Sequence, residues 1–201
     1  MSANPKRKAL LWFLLGALVV AVVTPAIGLT LRPCFLFDTK TTVILVRHAE
    51  KQGTPGDDVE NPPNSGLYGP ELTDPEGVAR AQELAHVAGE SGVKAIYHTE
   101  FIRTKRTIEP LAELTNIRPQ KFEREHTDDL VNDIRNNHRG EVVVVASHGD
   151  KVNHIIHSFT GQRLMPDIDP GDFDNLYVVT VSCRLPPRVV LLKYGQQTPP
   201  P

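Results

Sequence analysis

An α/β fold is predicted for this chain of 201 residues by two short β-branched runs, TVILV at 42–46 and EVVVVA at 141–146, and by the amphipathic segments that alternate with them. Runs that are apolar on successive residues read as strands buried on both faces, and such strands need helices to cover them. Composition agrees: 40% of the residues are apolar and 23% charged, spread along the chain, which is the profile of a packed domain and not of disorder. The net charge of −2 supplies no basic face for a phosphate backbone, so nucleic acid is not expected as a partner.

The chain opens with Lys6, Arg7 and Lys8, followed by residues 9–31, which carry no charged side chain and are long enough to cross a bilayer as a helix. The basic cluster stays inside by the positive-inside tendency. Residues 1–8 therefore read as a cytoplasmic N-terminus, 9–31 as a single-pass membrane anchor and 40–195 as a domain on the outer, periplasmic or extracytoplasmic, side. A cleaved signal sequence, with Thr24 and Ala26 before the cut, sends the domain to the same side, although Pro25 suits such a site poorly. Cys34 and Cys183 are too few for a disulfide framework and read as two thiols, or as one bridge in an oxidising compartment.

Residues 42–46 form the first strand. The stretch 53–70, rich in Gly, Pro and Asn, is too long for a bare connector and is expected to bind something. Thr73, with Glu76 three residues on, starts a helix that places Val78, Ala81, Leu84, Ala85 and Ala88 on one face. A short strand at 95–97 leads into a helix from near Glu100, with Ile108, Leu111, Ala112 and Leu114 toward the core and Pro110 as a kink or break. Residues 128–138 read as a helix, 141–146 as the second buried strand, 151–159 as its following helix, and 176–182 and 189–193 as two last strands. The proline-rich stretch 196–201 reads as a flexible tail.

Both buried strands end in the same way: the first runs into Arg47-His48 and the second into Ser147-His148-Gly149. Ligands of an open α/β sheet bind beyond the C-terminal ends of its strands, so these side chains are expected to converge there. Arg103 falls in the first turns of the helix after YHTEFIRTKRT and can point at the same crevice, whereas Lys105 and Arg106 read as solvated surface charges. A neutral imidazole with one nitrogen on a backbone acceptor offers the other as a nucleophile. Guanidinium groups grip phosphate oxygens in a fork.

The segments LVRHAEK, LTDPEGVARAQELA, YHTEFIRTKRTIEPLA and VVVASHGDKVNHII, in this order, resemble the histidine phosphatase (phosphoglycerate mutase-like) superfamily over about Thr42 to Thr180. The resemblance implies a three-layer sandwich with a mostly parallel central sheet flanked by helices. It implies a phosphomonoesterase in which His48 becomes a phosphohistidine while Arg47, Arg103 and His148, the last as a protonated donor, form the phosphate pocket. The substrate is then a phosphorylated small molecule, and no cofactor is called for. Ala49, Lys51, Thr99 and Phe101 depart from the family pattern beside the pocket, which leaves substrate preference open. The acid that protonates the leaving group is also open among Glu123, Glu125, Asp128, Asp129 and Asp150. Alternatives are a mutase-type phosphotransferase, for which residues between the Arg103 helix and the second buried strand leave little room for a cap, a non-catalytic phosphate-binding relative, and a metal site at His148, Asp150, His154 and His157.

Overall fold

Strand β1 (Lys40–Arg47) shows how the sequence builds the core. Side chains alternate across a strand, so Val43 and Leu45 enter one apolar layer and Ile44 and Val46 the other. The parallel neighbour β4 (Val142–Ser147) repeats this with Val143 and Val145 against Val144 and Ala146. Each fully buried Val, Leu or Ile contributes about 1.5–3 kcal/mol relative to exposure, which makes these two strands the part of the chain least tolerant of substitution. The computed structural model describes residues 38–53, 58–163 and 167–198. The apolar stretch 9–31 lies outside the described residues, among which no helix is long and apolar enough to cross a membrane.

The other elements are α1 (Glu76–Ala88), β2 (Val93–Thr99), α2 (Ile102–Thr115), β3 (Gln120–Phe122), α3 (Thr127–Asn137), α4 (Gly149–Thr160), β5 (Asn175–Ser182) and β6 (Arg188–Lys193). The sheet order is β3-β2-β4-β1-β5-β6, parallel from β3 to β1 and antiparallel at β5 and β6. One layer buries Leu84, Ile108 and Leu111 of α1 and α2, the other Leu130, Ile134, Ile155 and Phe159 of α3 and α4. The expected α/β sandwich is therefore present, with its mostly parallel sheet between two pairs of helices.

Several boundaries differ from the expectation, each for a physical reason. Thr73 does accept a helical N–H, from Gly77 at 3.0 Å, but α1 begins only after a turn through Pro75. Pro110 neither breaks nor ends α2, because Ile108, Leu111 and Ala112 hold that helix on the sheet through the missing hydrogen bond. Leu114, expected in the core, is 65% exposed; its Cδ2 instead lies over Gly89, where a Cβ would stand 2.6 Å away. Val78, expected on the apolar face, is 40% exposed. The three residues of β3 are too few to show a period and give no signal in the sequence. The expected tail is tied down as far as Thr198: Arg80 donates to Tyr194 O and Gln196 O, both at 2.9 Å, and Thr198 N–H to Asp174 at 3.2 Å. Cys183, just past β5, is disulfide-bonded.

Candidate active site

The C-terminal ends of β1 and β4 are in register, Arg47 beside Ser147, and this brings His48 and His148 together with ring centroids 5.5 Å apart. They open onto a cavity of about 680 Å³. Arg47, Arg103, Phe101 and Asp58 line it with the two histidines, as do Arg124, Asp150, His154 and Asp167. All four side chains expected at a site, Arg47, His48, Arg103 and His148, thus share one cavity. Gly149, the first residue of α4, lies there too, which turns the positive end of that helix toward it.

His48 is 5% exposed and its Nδ1 lies 2.7 Å from Ala49 O. A carbonyl only accepts, so Nδ1 carries the proton and Nε2 is left with its lone pair. Burial, and after it the Arg47 and Arg103 charges, pushes the pKa of His48 down to about 3, with the Ala49 bond opposing. The imidazole is neutral. The Ala49 peptide is itself fixed, since its N–H donates to Thr107 Oγ1 at 2.8 Å and that hydroxyl donates to Arg103 O at 2.6 Å. One threonine therefore ties the backbone that orients His48 to the helix that carries Arg103.

His148 reaches Thr99 Oγ1 with Nε2 at 2.9 Å, and Thr99 Oγ1 in turn meets Thr104 Oγ1 at 2.8 Å. Thr104 spends its proton on Phe101 O at 2.7 Å, so the chain of hydroxyls makes Nε2–H the donor and leaves Nδ1 facing Arg103 Nη2 at 3.5 Å. Burial first, then the neighbouring His48 and Arg103, drives the His148 pKa far down. Its surroundings favour the neutral ring, and the positive charge expected on it depends on a phosphate anion beside it.

The two arginines are fixed differently. Arg47 gives Nη1 to the carbonyls of Asp169, Pro170 and Asp172 at 3.1, 2.8 and 3.2 Å and lies 4.0 Å from the centre of the Phe173 ring. Arg103 stacks 4.3 Å over Phe101 and ion-pairs through Nη1 with Asp58 at 2.6 Å. In both, Nε is buried with no hydrogen-bond partner. Buried unsatisfied donors are costly and mark a function or a missing ligand. Two such N–H groups on cations, beside a bare imidazole nitrogen, make a receptor for an oxyanion.

The sequence profile of the histidine phosphatase superfamily (branch 1) matches residues 43–126. Over that stretch the chain is similar to the histidine phosphatase superfamily. Its fold is that of solved phosphatases: a mycobacterial glucosyl-3-phosphoglycerate phosphatase is 12% identical over 77% of this chain and 99% of its own, with a TM-score of 0.57. The protein histidine phosphatase SixA in complex with tungstate is 14% identical over 76% of this chain and 96% of its own, with a TM-score of 0.53. The mycobacterial enzyme also matches in a complex with VO3, at 13% identity over 76% of this chain and 98% of its own, with a TM-score of 0.56. Comparison with curated protein sequences finds no match.

In this histidine phosphatase fold, the departures at Thr99 and Phe101 sit on the site itself: Thr99 orients His148, and the Phe101 ring packs 4.9 Å from His148 and under Arg103. Of the candidate acids, Asp150 lines the cavity but is bound by Arg124. Glu125 pairs with Lys151 and Arg124, Glu123 with Lys121, Asp128 accepts from the Ser158 hydroxyl and Asp129 faces His126, all away from the cavity. Lys105 and Arg106 are surface charges paired with Glu109 and Glu71. His154 reaches the cavity while His157, one turn on, is exposed; among the described residues no three metal-binding side chains cluster. Asp58 joins the site without being among the expected residues, and Arg80 buttresses Glu50 outside the cavity. Arg80, 4% exposed, grips both oxygens of Glu50 two residues after His48, and its only signal in the sequence is a charged residue on the apolar side of a helical stripe.

Proposed function

We propose that the chain is a phosphomonoester hydrolase working through a phosphohistidine on His48. The observation that carries this reading is the bare Nε2 of a neutral, immobilised imidazole beside two buried guanidinium groups that each keep an unpartnered Nε–H. A phosphoryl group held by Arg47 and Arg103, with the N-terminus of α4 behind it, has its negative charge balanced as His48 attacks. Covalent transfer splits hydrolysis into two displacements at phosphorus, with the His48 nitrogen entering in the first and leaving in the second. The physiological substrate is read as a phosphorylated small molecule, and the open cavity accommodates one larger than phosphate alone. Phosphohistidine is labile in acid and survives base, so a brief reaction of the full chain with labelled substrate and an alkaline quench should leave label on the peptide containing Arg47 and His48. Label elsewhere, or turnover without label, would overturn the mechanism.

The same reading places the domain outside the cytoplasm, anchored by residues 9–31. Its support is the basic cluster ahead of an uncharged span and the disulfide at Cys183, a bond that persists in oxidising compartments. A C-terminal fusion to a reporter that works only after export is expected to be active; activity only of a reporter confined to the cytoplasm would refute this topology.

A further inference from the structure

A departing alkoxide needs a proton. The side chains gathered so far hold none to give: His48 Nε2 is the attacking atom, its Nδ1 proton is on Ala49 O, and the His148 proton is on Thr99. Among the described residues three carboxylates line the cavity, Asp58, Asp150 and Asp167. Asp150 is paired with Arg124 in the first turn of α4. The Asp167 side chain is 81% exposed, and its hydrogen bond to Arg163 holds its carboxyl below the usual range.

Asp58 differs because it touches the phosphate-binding group itself, Oδ1 lying 2.6 Å from Arg103 Nη1. The contact is built in. Gly69, at φ +82°, faces the pair so closely that a Cβ would stand 2.6 Å from Arg103 Nη1 and 2.8 Å from Asp58 Oδ1. Gly69 N–H also donates to Val59 O at 2.8 Å, clamping the residue after Asp58. Tyr68 is bonded to Glu100 O and to Ile102 N–H, both at 2.9 Å, at the start of α2. Asp58 is therefore positioned by the helix that carries Arg103, with its carboxylate 43% exposed toward the cavity.

We propose that Asp58 is the general acid of this site and, in the second half-reaction, its base; the proposal rests on the phosphohydrolase reading above. As phosphoryl oxygens take the Arg103 fork, Asp58 exchanges a cation for an anionic neighbour and takes up a proton from solvent. The His48 Nε2 lone pair then forms the N–P bond while the P–O ester bond breaks. The leaving oxygen keeps that electron pair and takes the Asp58 proton. Water next attacks phosphorus and gives its proton to the Asp58 carboxylate, the P–N pair returns to Nε2, and inorganic phosphate leaves. Water is the sole co-reactant.

The test is kcat/KM for Asp58→Asn on phosphate esters of graded leaving group in the full chain. The loss should grow with leaving-group basicity, from a few-fold for 2,4-dinitrophenyl phosphate to about 10²-fold or more for an alkyl phosphate. Asp58→Glu, which keeps the acid, should recover part of the alkyl activity, and inhibition by vanadate should persist in both variants. Equal losses on every ester would show that Asp58 only props Arg103, and gains on every ester that it merely competes with phosphate; either overturns the proposal. Failure of the wild-type chain to label His48 is read separately, and it would remove the phosphohydrolase reading and this proposal together.

Discussion

Replacing His48 by alanine is expected to lower turnover by about 10⁶-fold, the size of loss seen on deletion of a covalent nucleophile. The reasoning is geometric. Its Nε2 has no competing partner, its Nδ1 is fixed to Ala49 O, and that peptide is fixed in turn by Thr107, so no neighbouring atom stands ready to replace it. The fold should survive, because the ring is neutral and its one backbone bond contributes only about 1 kcal/mol. Burial keeps the imidazole uncharged at any pH above about 3. The defect should accordingly be the same across the neutral and mildly acidic range, with no recovery on acidification. Steady-state assay of a variant shown by circular dichroism to be folded checks this, and near-normal activity would rule out the mechanism.

Arg103→Lys is expected to reduce kcat/KM by about two orders of magnitude, comparable to the removal of one preorganised donor from an oxyanion site. Lysine keeps the charge. It loses the planar fork, the stacking on Phe101 at 4.3 Å and the Nε–H that now lacks a partner. The backbone carbonyl that receives the Thr107 hydroxyl is unchanged, so the His48 support remains and the loss isolates phosphate binding. Lys105→Ala, two residues on, removes only a surface charge 4.0 Å from Glu109 and should stay within about twofold of wild type. Comparable losses in the two variants would take Arg103 out of the pocket.

The strands and the residues at their ends are legible in the sequence because TVILV and EVVVVA can be buried only in the middle of a sheet, and the next residues along the chain fall at its ligand-binding end. His48, His148 and Arg47 are legible for that reason. Arg103 needs a helix start in addition, and the true start at Ile102 places it in the first turn. Thr107 is within reach of the same logic, one turn past Arg103 on the same face. Asp58 and Thr99 are not, since what makes them part of the site is a partner 45 or 49 residues away. The neutral state of the His148 ring is not legible for a related cause: residue type gives its ordinary proton affinity, but only the packing shows its burial beside another imidazole and the Arg103, Arg124 and Arg47 guanidinium groups.

The antiparallel pairing of β5 with β1 sets Leu176 beside Val46 and Ser182 beside Lys40. Lys40 and Ser182 therefore lie at one end of the domain, and His48 stands at the other. The length of the eight-residue β1 makes that standoff about 26 Å. A substrate therefore meets the pocket at the opposite end of the sheet from Lys40 and Ser182.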